Sequence, residues 1–363
     1  MVKFINKSSI FLLISFIFVS TSCKKENETQ PNVTPSGYYY PSSTGTEWES
    51  VSPSALSWDT TKLNEAFAYA GSKNTYGLIV LKDGRIVKEQ YWNNWNQNTR
   101  YFLASAGKSV VAFLFGIAQQ DGLLNINEKT SQYLNSGWTS LPLPKENLIT
   151  IKNQLSMTSG LDDGVPDDNC TDSACLIYKS DAGSRWAYHN APYLLLHDVL
   201  TNASGQNINL YSRAKLFDRI GMSQSFWFNN VLYSTTREAA RFGSLILRKG
   251  IWNNDTLLKD RNYFEAMTQS SQQINLSYGY LWWLNGKSSF MAPTLQTVFN
   301  SSLVPEGPSD MIMALGKEDK KIYVVPSLGI VAVRLGDAAE TVTLGPSSFD
   351  NEFWRRMKAA IRY

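Results

Sequence analysis

The sequence predicts an α+β fold: an antiparallel sheet flanked by helices near both termini, with an inserted, mostly helical domain. Two observations predict this class. Strand-like runs occupy both ends of the folded part and helix-like periodicity fills the middle, an order typical of α+β proteins. The strands of the two ends can join one sheet only if the middle of the chain folds as an insertion.

The first folded segments are a helix and a β-hairpin. Residues 61–70 carry apolar side chains on one helical face. Residues 76–81 and 85–91 have strand-like composition, and the turn between them contains Asp83-Gly84, a pair typical of tight hairpins. We therefore expect the two strands to be neighbours in the sheet.

Helical periodicity dominates the middle of the chain and returns at its end. The predicted helices are 105–120, 190–200, 209–220, 236–249 and 348–361, and the strands between the last two are 278–284, 310–315, 321–325 and 329–335. Residues 24–57 are polar and lack an apolar period, which predicts a flexible tether. The predicted divisions are a lipoprotein signal peptide at 1–22, a tether at 23–57, an α/β sheet domain from 58–104 and 261–363, and a helical domain at 105–260.

Composition narrows the functional classes. The 363 residues carry 34 Lys and Arg against 31 Asp and Glu, and 43% are hydrophobic, which is typical of a globular protein. A net charge of +3 without a long basic block argues against a nucleic-acid partner. With two histidines in the chain, only His189 and His197 are available as the base of a Ser-His-Asp hydrolase.

The N-terminus predicts export. Lys3 and Lys7 precede an apolar run at 10–19, which is shorter than the roughly 20 residues that span a bilayer. Small residues then lead to Cys23, as in a bacterial lipoprotein cleavage box, although Ser20 stands where such boxes usually carry Leu. We expect an acylated Cys23 that anchors the exported protein in the bacterial cell envelope, facing the periplasm or the cell surface. The alternative is an ordinary signal peptide with Cys23 incidental.

Two further cysteines, Cys170 and Cys175, are expected to form a disulfide in an oxidising envelope. A loop this small contributes about 2 kcal/mol in the chain-entropy model. Zinc binding is the alternative, but no second cysteine pair accompanies them. The neighbouring acidic residues lack the ordered spacing of a calcium loop and are interpreted as a solvated acidic loop: Asp162, Asp163, Asp167 and Asp168.

Ser105-Ala106-Gly107-Lys108 is a Ser-x-x-Lys motif at the start of a predicted helix. Residues three apart share a helical face, so the Lys108 amine can act as the base for the Ser105 hydroxyl. The lysine pKa must then fall well below about 10.4 through burial or nearby positive potential. The same spacing occurs at 22–25 and 212–215, but only Ser105 has small intervening residues, a strand before it and an apolar run after it.

Tyr188-His189-Asn190 is a Tyr-x-Asn motif that supplies partners for this pair. A tyrosine that shares its proton with the lysine can relay it to a leaving group, and Asn190 can hydrogen-bond a substrate carbonyl and the lysine. The spacing also occurs at 91–93 and 133–135, so the motif alone is not specific. His189 is expected to point away from the nucleophile.

These motifs give the chain a clear resemblance to the serine β-lactamase and penicillin-binding-protein-like hydrolases. It is most similar to the class C branch, which also contains esterases, D-amino-acid peptidases and 6-aminohexanoate-dimer hydrolases. The likeness covers roughly residues 58–360. It is carried by the segments 102–109, 121–123, 155–161, 186–190, 239–243 and 278–283.

The resemblance implies a sheet domain, a helical domain and an active site in the cleft between them. It also implies that Ser105 attacks a carbonyl to form an acyl-enzyme, while Lys108 and Tyr188 transfer the protons. No metal ion or organic cofactor is expected. Three tryptophans are candidates either for an apolar acyl pocket or for the core: Trp186, Trp282 and Trp283.

The family's third motif is a triplet on a strand edge, here best matched by residues 314–316. In this register Gly316 allows the substrate to approach and the Lys317 N–H completes the oxyanion hole. The alternative register at 317–319 lacks the glycine. Residues 314–316 have no cationic or hydroxyl side chain to bind a carboxylate, which argues against an efficient β-lactamase.

The resulting prediction is an envelope-anchored serine hydrolase that cleaves an ester or an amide. Its expected partners are a small-molecule ester, amide or peptide-like substrate and the membrane, reached through the lipid anchor. One alternative is a β-lactamase or D-Ala-D-Ala carboxypeptidase. A second is a non-catalytic, cell-wall-binding lipoprotein that has kept the fold.

Overall fold

The structure is a computed structural model that describes Met1 and residues 37–341 and 345–363. The predicted signal peptide after Met1, the lipidation site Cys23 and the predicted tether up to residue 36 lie outside the described residues. Residues 37 onward belong to one compact unit. Across the described residues, no helix is both long and apolar enough to cross a membrane.

The described strands and helices alternate unevenly along the chain. The strands are β1 (Thr75–Lys82), β2 (Arg85–Tyr91), β3 (Arg100–Phe102), β4 (Phe226–Phe228), β5 (Val231–Thr235), β6 (Ile251–Trp252), β7 (Asp255–Thr256), β8 (Trp283–Leu284), β9 (Phe290–Met291), β10 (Val298–Phe299), β11 (Ile312–Gly316), β12 (Lys320–Val325) and β13 (Ile330–Gly336). The α-helices are α1 (Thr60–Gly71), α2 (Lys108–Gln120), α3 (Ser131–Leu134), α4 (Leu143–Glu146), α5 (Ile151–Leu155), α6 (Asn190–Ser204), α7 (Ile208–Ser212), α8 (Asp218–Ile220), α9 (Thr236–Leu247), α10 (Arg261–Met267) and α11 (Ser348–Ile361).

Six strands form one antiparallel sheet in the order β2-β1-β13-β12-β11-β8. The hairpin from the N-terminal part and the strands from the C-terminal part thus share a sheet, and most of the helices lie in the chain between them. This arrangement confirms the predicted α+β class.

Helices cover both faces of this sheet. On β12, the Tyr323 ring packs against Phe353 of α11 with 6.0 Å between the ring centroids. The next residue along the alternating pleat, Ile322, faces α9, where Gly243 allows a close approach. Helix α9 falls within residues 105–260, the segment predicted to form the helical domain, yet it packs on the sheet.

Part of the predicted tether is folded. Part of residues 38–57 lies against the β1–β2 hairpin, where the Tyr39 N–H donates to the Asp83 carbonyl at 2.9 Å and the Trp48 indole N–H donates to the Gly84 carbonyl at 2.7 Å. Another part contacts α9, where the Thr46 carbonyl accepts a hydrogen bond from Arg237. The flexible-tether prediction is therefore wrong for this stretch. Its irregularly spaced aromatic residues pack without producing the period that marks a helix or a strand.

The predicted strand at 278–284 is also largely wrong, because only β8 at its end is a strand. Leu281 adopts a left-handed φ of 57°, which bends the chain. A Cβ on Gly279 would lie 2.2 Å from the Met267 carbonyl oxygen, so the segment turns tightly beneath α10. Its hydrophobic run reflects burial in the core rather than an extended backbone.

Candidate active site

The predicted nucleophile lies in a sharp turn between strand β3 and helix α2. Ala104 adopts a left-handed φ of 47°, an uncommon conformation for a residue with a side chain. One turn of 3₁₀-helix over Ala104–Gly107 follows and leads directly into α2. This geometry holds Ser105, which is half-buried, at the N-terminal end of the helix.

Helix α2 carries Lys108 into the interior. Eleven of its thirteen residues are buried, including Lys108 itself, which is 5% exposed. The Lys108 Nζ donates a hydrogen bond to Asn190 Oδ1 at 3.0 Å. It also lies 3.7 Å from the ring centroid of Tyr193 and 5.6 Å from that of Tyr188, both contributed by α6 or by the residues just before it.

Burial changes the acid–base properties of this lysine. Desolvation of the ammonium lowers the pKa of Lys108 to about 7, and the charge of Asp168 partly opposes that shift. A substantial fraction of the amine is therefore neutral near pH 7, the state in which it can accept a proton.

The Tyr188 hydroxyl interacts with the Ser105 side chain, and both residues line the same cavity. Burial raises the pKa of Tyr188 well above its usual value, so the phenol stays protonated at neutral pH. Its ring stacks on Trp283 at 5.9 Å between centroids. The site thus combines a partly neutral lysine, which can accept a proton, with a protonated tyrosine, which can donate one.

Neither histidine is placed to act as the base. His189 is buried just before α6, and neither of its ring nitrogens has a hydrogen-bond partner among the described residues. The Nε2 of His197 lies 3.2 Å from the Tyr193 hydroxyl, and burial together with the Lys108 charge lowers the pKa of His197 to about 3. A Ser-His-Asp mechanism has no support in this geometry.

The strand-edge residues approach the nucleophile turn as closely as the backbone allows. A Cβ on Gly316 would lie 2.4 Å from the Leu103 carbonyl oxygen and 3.0 Å from the Ala106 nitrogen. Only glycine fits at this position without displacing the strand or the turn. The next residue, Lys317, is exposed and borders the same cavity as Ser105.

A buried polar network fixes the tight turn that carries Lys317. Asp319 has a left-handed φ of 60°, and its carboxylate accepts hydrogen bonds from the Ala339 N–H and the Ser347 hydroxyl. The Nζ of Lys321 lies 3.1 Å from the same carboxylate. Because these groups are paired and desolvated, they hold the turn in one position beside the nucleophile.

A cavity of about 460 Å³ opens over Ser105. Of the three candidate tryptophans, Trp283 lines it, whereas Trp282 stacks on Phe242 in the core and Trp186 is fully buried. The cavity therefore joins an aromatic wall to polar groups. Its described lining residues are Ser105, Asp168, Asn169, Tyr188, Asn190, Trp283, Pro293, Thr294, Leu315, Lys317, Gly345 and Pro346.

The loop before Tyr188 contributes a residue that the sequence did not single out. The structure joins Cys170 and Cys175 in a disulfide. Just before it, Asp168 accepts a hydrogen bond from the Asn190 side-chain amide at 2.9 Å and lines the cavity. The solvated-loop interpretation is thus wrong for Asp168, because the segment just before the disulfide folds back onto α6. Within the described residues, no group of three His, Cys, Asp or Glu side chains is placed to hold a metal ion.

The structure places four of the predicted catalytic and substrate-binding residues around one cavity: Ser105, Tyr188, Asn190 and Lys317. Gly316 lies against the nucleophile turn, and the buried Lys108 hydrogen-bonds to Asn190. The lining residues that were not predicted come from loops without a readable motif, notably Asp168, Asn169 and Thr294. The cysteine pair two residues after Asp168 was the one available signal, since it implied a loop held in a fixed shape.

Solved structures of low sequence identity share this fold. One is a protein from Bacillus anthracis, a proposed 6-aminohexanoate-dimer hydrolase, with a TM-score of 0.61, 16% identity and coverage of 80% of this chain and 79% of that one. Another is a penicillin-binding protein homologue from Caulobacter crescentus, with a TM-score of 0.64, 13% identity and coverage of 83% and 97%.

Sequence comparison adds the family to this shared fold. An uncharacterized protein of Alkalihalophilus pseudofirmus is 23% identical over 303 residues, which cover 71% of this chain and 82% of that protein. The model of the beta-lactamase family matches residues 68–300, more than half of the chain, and so confirms the resemblance predicted from the motifs. The chain belongs to the beta-lactamase family.

Proposed function

We propose that the protein is a serine hydrolase that cleaves an ester or an amide through an acyl-enzyme on Ser105. One observation carries the proposal: a buried lysine with a pKa near 7 lies one helical turn from a serine whose side chain interacts with a protonated tyrosine. This arrangement is that of an activated nucleophile with its base.

In the acylation step, Ser105 Oγ attacks the substrate carbonyl carbon while its proton passes, directly or through the Tyr188 hydroxyl, to the neutral Lys108 amine. The backbone N–H groups of Ser105 and Lys317 then stabilise the negative charge on the carbonyl oxygen. When the tetrahedral intermediate collapses, Tyr188 gives its proton to the departing alcohol or amine and takes one from Lys108. The product of this step is an ester of Ser105.

In the deacylation step, water attacks the ester carbonyl. The same Lys108–Tyr188 pair accepts the proton of the water and returns one to Ser105 Oγ, which releases the carboxylic acid. The cavity accommodates an acyl group against Trp283, and Asn190 provides an amide that can hydrogen-bond to a substrate carbonyl.

The proposal is tested by intact mass after exposure to a fluorophosphonate. We expect a single adduct on the parent protein and none on the Ser105→Ala variant. The matched control is Ser212→Ala, which removes the serine of the second Ser-x-x-Lys motif within the described residues and should leave the adduct in place. Thermal unfolding of all three proteins shows whether each is folded.

If the folded parent forms no adduct, the hydrolase proposal is wrong. The non-catalytic alternative, in which the cleft of an envelope lipoprotein binds a cell-wall component, would then become the leading function. Binding of peptidoglycan fragments to the parent, and its loss on Trp283→Ala, would test that alternative.

One observation favours the β-lactamase or D-Ala-D-Ala carboxypeptidase alternative. Although residues 314–316 provide no cation, the exposed Lys317 borders the cavity and offers an ammonium to a substrate carboxylate. Rapid nitrocefin hydrolysis that Lys317→Met slows by about tenfold or more would favour this alternative. Turnover of p-nitrophenyl esters without any penicillin adduct would favour the ester or amide hydrolase.

We further propose that the enzyme is exported and held in the bacterial cell envelope by acylation of Cys23. Supporting this, a disulfide between Cys170 and Cys175 suits an oxidising compartment. Metabolic labelling with an alkyne fatty acid should mark the parent in membrane fractions and leave Cys23→Ala unlabelled. Equal labelling of both proteins would contradict lipidation at this residue.

A further inference from the structure

We propose that Asp168 is a positioning residue of the active site, which orients the side-chain amide of Asn190 so that its oxygen faces Lys108. This inference rests on the proposed function, because it assigns Asp168 a part in the acylation of Ser105. It adds to the site a residue from the segment just before the disulfide.

Two hydrogen bonds define the orientation of the Asn190 amide. Asn190 Nδ2 donates to Asp168 Oδ2 at 2.9 Å, and Asn190 Oδ1 accepts from Lys108 Nζ at 3.0 Å. An ionised carboxylate only accepts hydrogen bonds, so it selects the NH₂ end of the amide and leaves the oxygen for the lysine. Without the carboxylate, the Asn190 amide is free to rotate by 180°. Its NH₂ group would then point at the Lys108 ammonium, which cannot accept a hydrogen bond.

Two hydrogen bonds besides the one from Asn190 hold Asp168 in place. Its backbone carbonyl accepts the Ala191 N–H from the first turn of α6 at 2.8 Å. Its second carboxylate oxygen accepts from Asn169 Nδ2 at 2.8 Å, and the Cys170–Cys175 disulfide closes the loop that follows. The carboxylate is therefore fixed to the same helix turn that carries Asn190.

The groups around Lys108 make the effect of Asp168 measurable. Burial keeps the phenols of Tyr188 and Tyr193 protonated by raising their pKa values, and His197 is neutral with a pKa of about 3. Within the described residues, Asp168 provides the negative charge that acts on the lysine and raises its pKa. Neutralising Asp168 should therefore lower the pKa of Lys108 further.

The test measures the second-order rate of fluorophosphonate labelling from pH 5.5 to 9.5 for the parent, Asp168→Asn and Asp168→Ala. Asp168→Asn keeps the shape but loses the charge, so we expect the midpoint of the pH–rate profile to move to lower pH. Asp168→Ala also releases the Asn190 amide, and we expect its plateau rate to fall about tenfold or more through misorientation. Asp168→Glu should restore part of that rate.

The matched control is Asp167→Asn, which removes the same charge from the exposed neighbour on the same loop. We expect its profile to match the parent. Parent-like profiles for both Asp168→Asn and Asp168→Ala, or an equal shift in Asp167→Asn, would overturn the proposal. If the parent is not labelled at all, the proposed function fails and this inference fails with it. If the parent is labelled but the Asp168 variants are labelled like the parent, only this inference fails. Thermal unfolding shows whether each variant is folded. If Asp168→Ala is unfolded, the pH–rate profile of Asp168→Asn alone decides whether the proposal holds.

Discussion

Two regions of this molecule carry the same Ser-x-x-Lys spacing but have different environments. At Ser105, the lysine is buried, has lost most of its solvation and donates to the Asn190 oxygen. At Ser212, the serine is buried and its oxygen accepts the Trp227 indole N–H at 2.9 Å, while Lys215 is partly exposed and pairs with Asp121 at 2.8 Å.

The backbone differs as well. Ser105 and Lys108 follow one another through a 3₁₀ turn into a regular α-helix, so their side chains share a face. Lys215 lies in a π-helical segment, Arg213–Phe217, whose wider turn changes which residues align with Ser212. The comparison teaches that burial and local helix type, rather than spacing, distinguish the two lysines.

Removing the two lysines gives the largest expected difference. We expect Lys108→Met to slow fluorophosphonate labelling about a thousandfold, because the serine loses its general base. Lys215→Met should stay within about twofold of the parent. Similar losses in both variants, with both proteins folded, would mean that the two motifs do not differ in the way the structure indicates.

Tyr188→Phe is expected to have the next largest effect. The ring and its stacking on Trp283 remain, but the hydroxyl that interacts with Ser105 is lost, so we expect ester turnover to fall about a hundredfold in kcat. Tyr133→Phe is the control, since its Tyr-x-Asn motif lies elsewhere and its hydroxyl bonds to Glu128. A Tyr188→Phe enzyme with unchanged kcat would remove the tyrosine from the mechanism.

The pH dependence of the parent is a smaller and independent effect. Lys108 must be neutral to accept a proton, so labelling should rise with pH and level off above its pKa of about 7. We expect the rate to fall about tenfold between pH 8 and pH 6, following the neutral fraction of the amine. A profile that is flat over this range, or one that rises only above pH 9, would contradict the assignment of Lys108 as the base.

The sequence was sufficient for the fold class because periodicity is a local property. The hairpin at Asp83-Gly84, helix α1 and helix α11 all follow from the spacing of apolar residues and from turn chemistry. The run at 278–284 was misassigned because a buried segment has the same apolar content whether it is extended or bent. Residues 38–57 were misassigned because their packing partners lie far along the chain.

The site divides in the same way. Ser105, Lys108 and Tyr188 could be predicted as site residues because they lie in short sequence motifs that match the family. Asp168 could not, since its role depends on a loop that folds back to meet Asn190, and nothing in the four acidic residues distinguishes it from Asp167. The low pKa of Lys108 likewise depends on the burial of α2, which spacing alone does not fix.

The smallest expected effects are on stability, and they differ in pH dependence between the two lysines. Because burial lowers the pKa of Lys108 to about 7 from 10.5, the unfolded chain binds more protons than the folded one between these values. The stability of the parent should therefore rise with pH in this window relative to Lys108→Met, by about 2 kcal/mol between pH 7 and pH 9.

Lys215→Met removes a partly exposed ion pair with Asp121 and should cost less than about 1 kcal/mol, with no trend over the same pH range. Urea unfolding of the three proteins at pH 7, 8 and 9 measures both effects. A parent and a Lys108→Met variant whose stabilities run parallel across this range would show that the buried amine carries no protonation penalty. Its capacity to act as a base would then need another origin, and the distinction between the two motifs would rest on helix geometry alone.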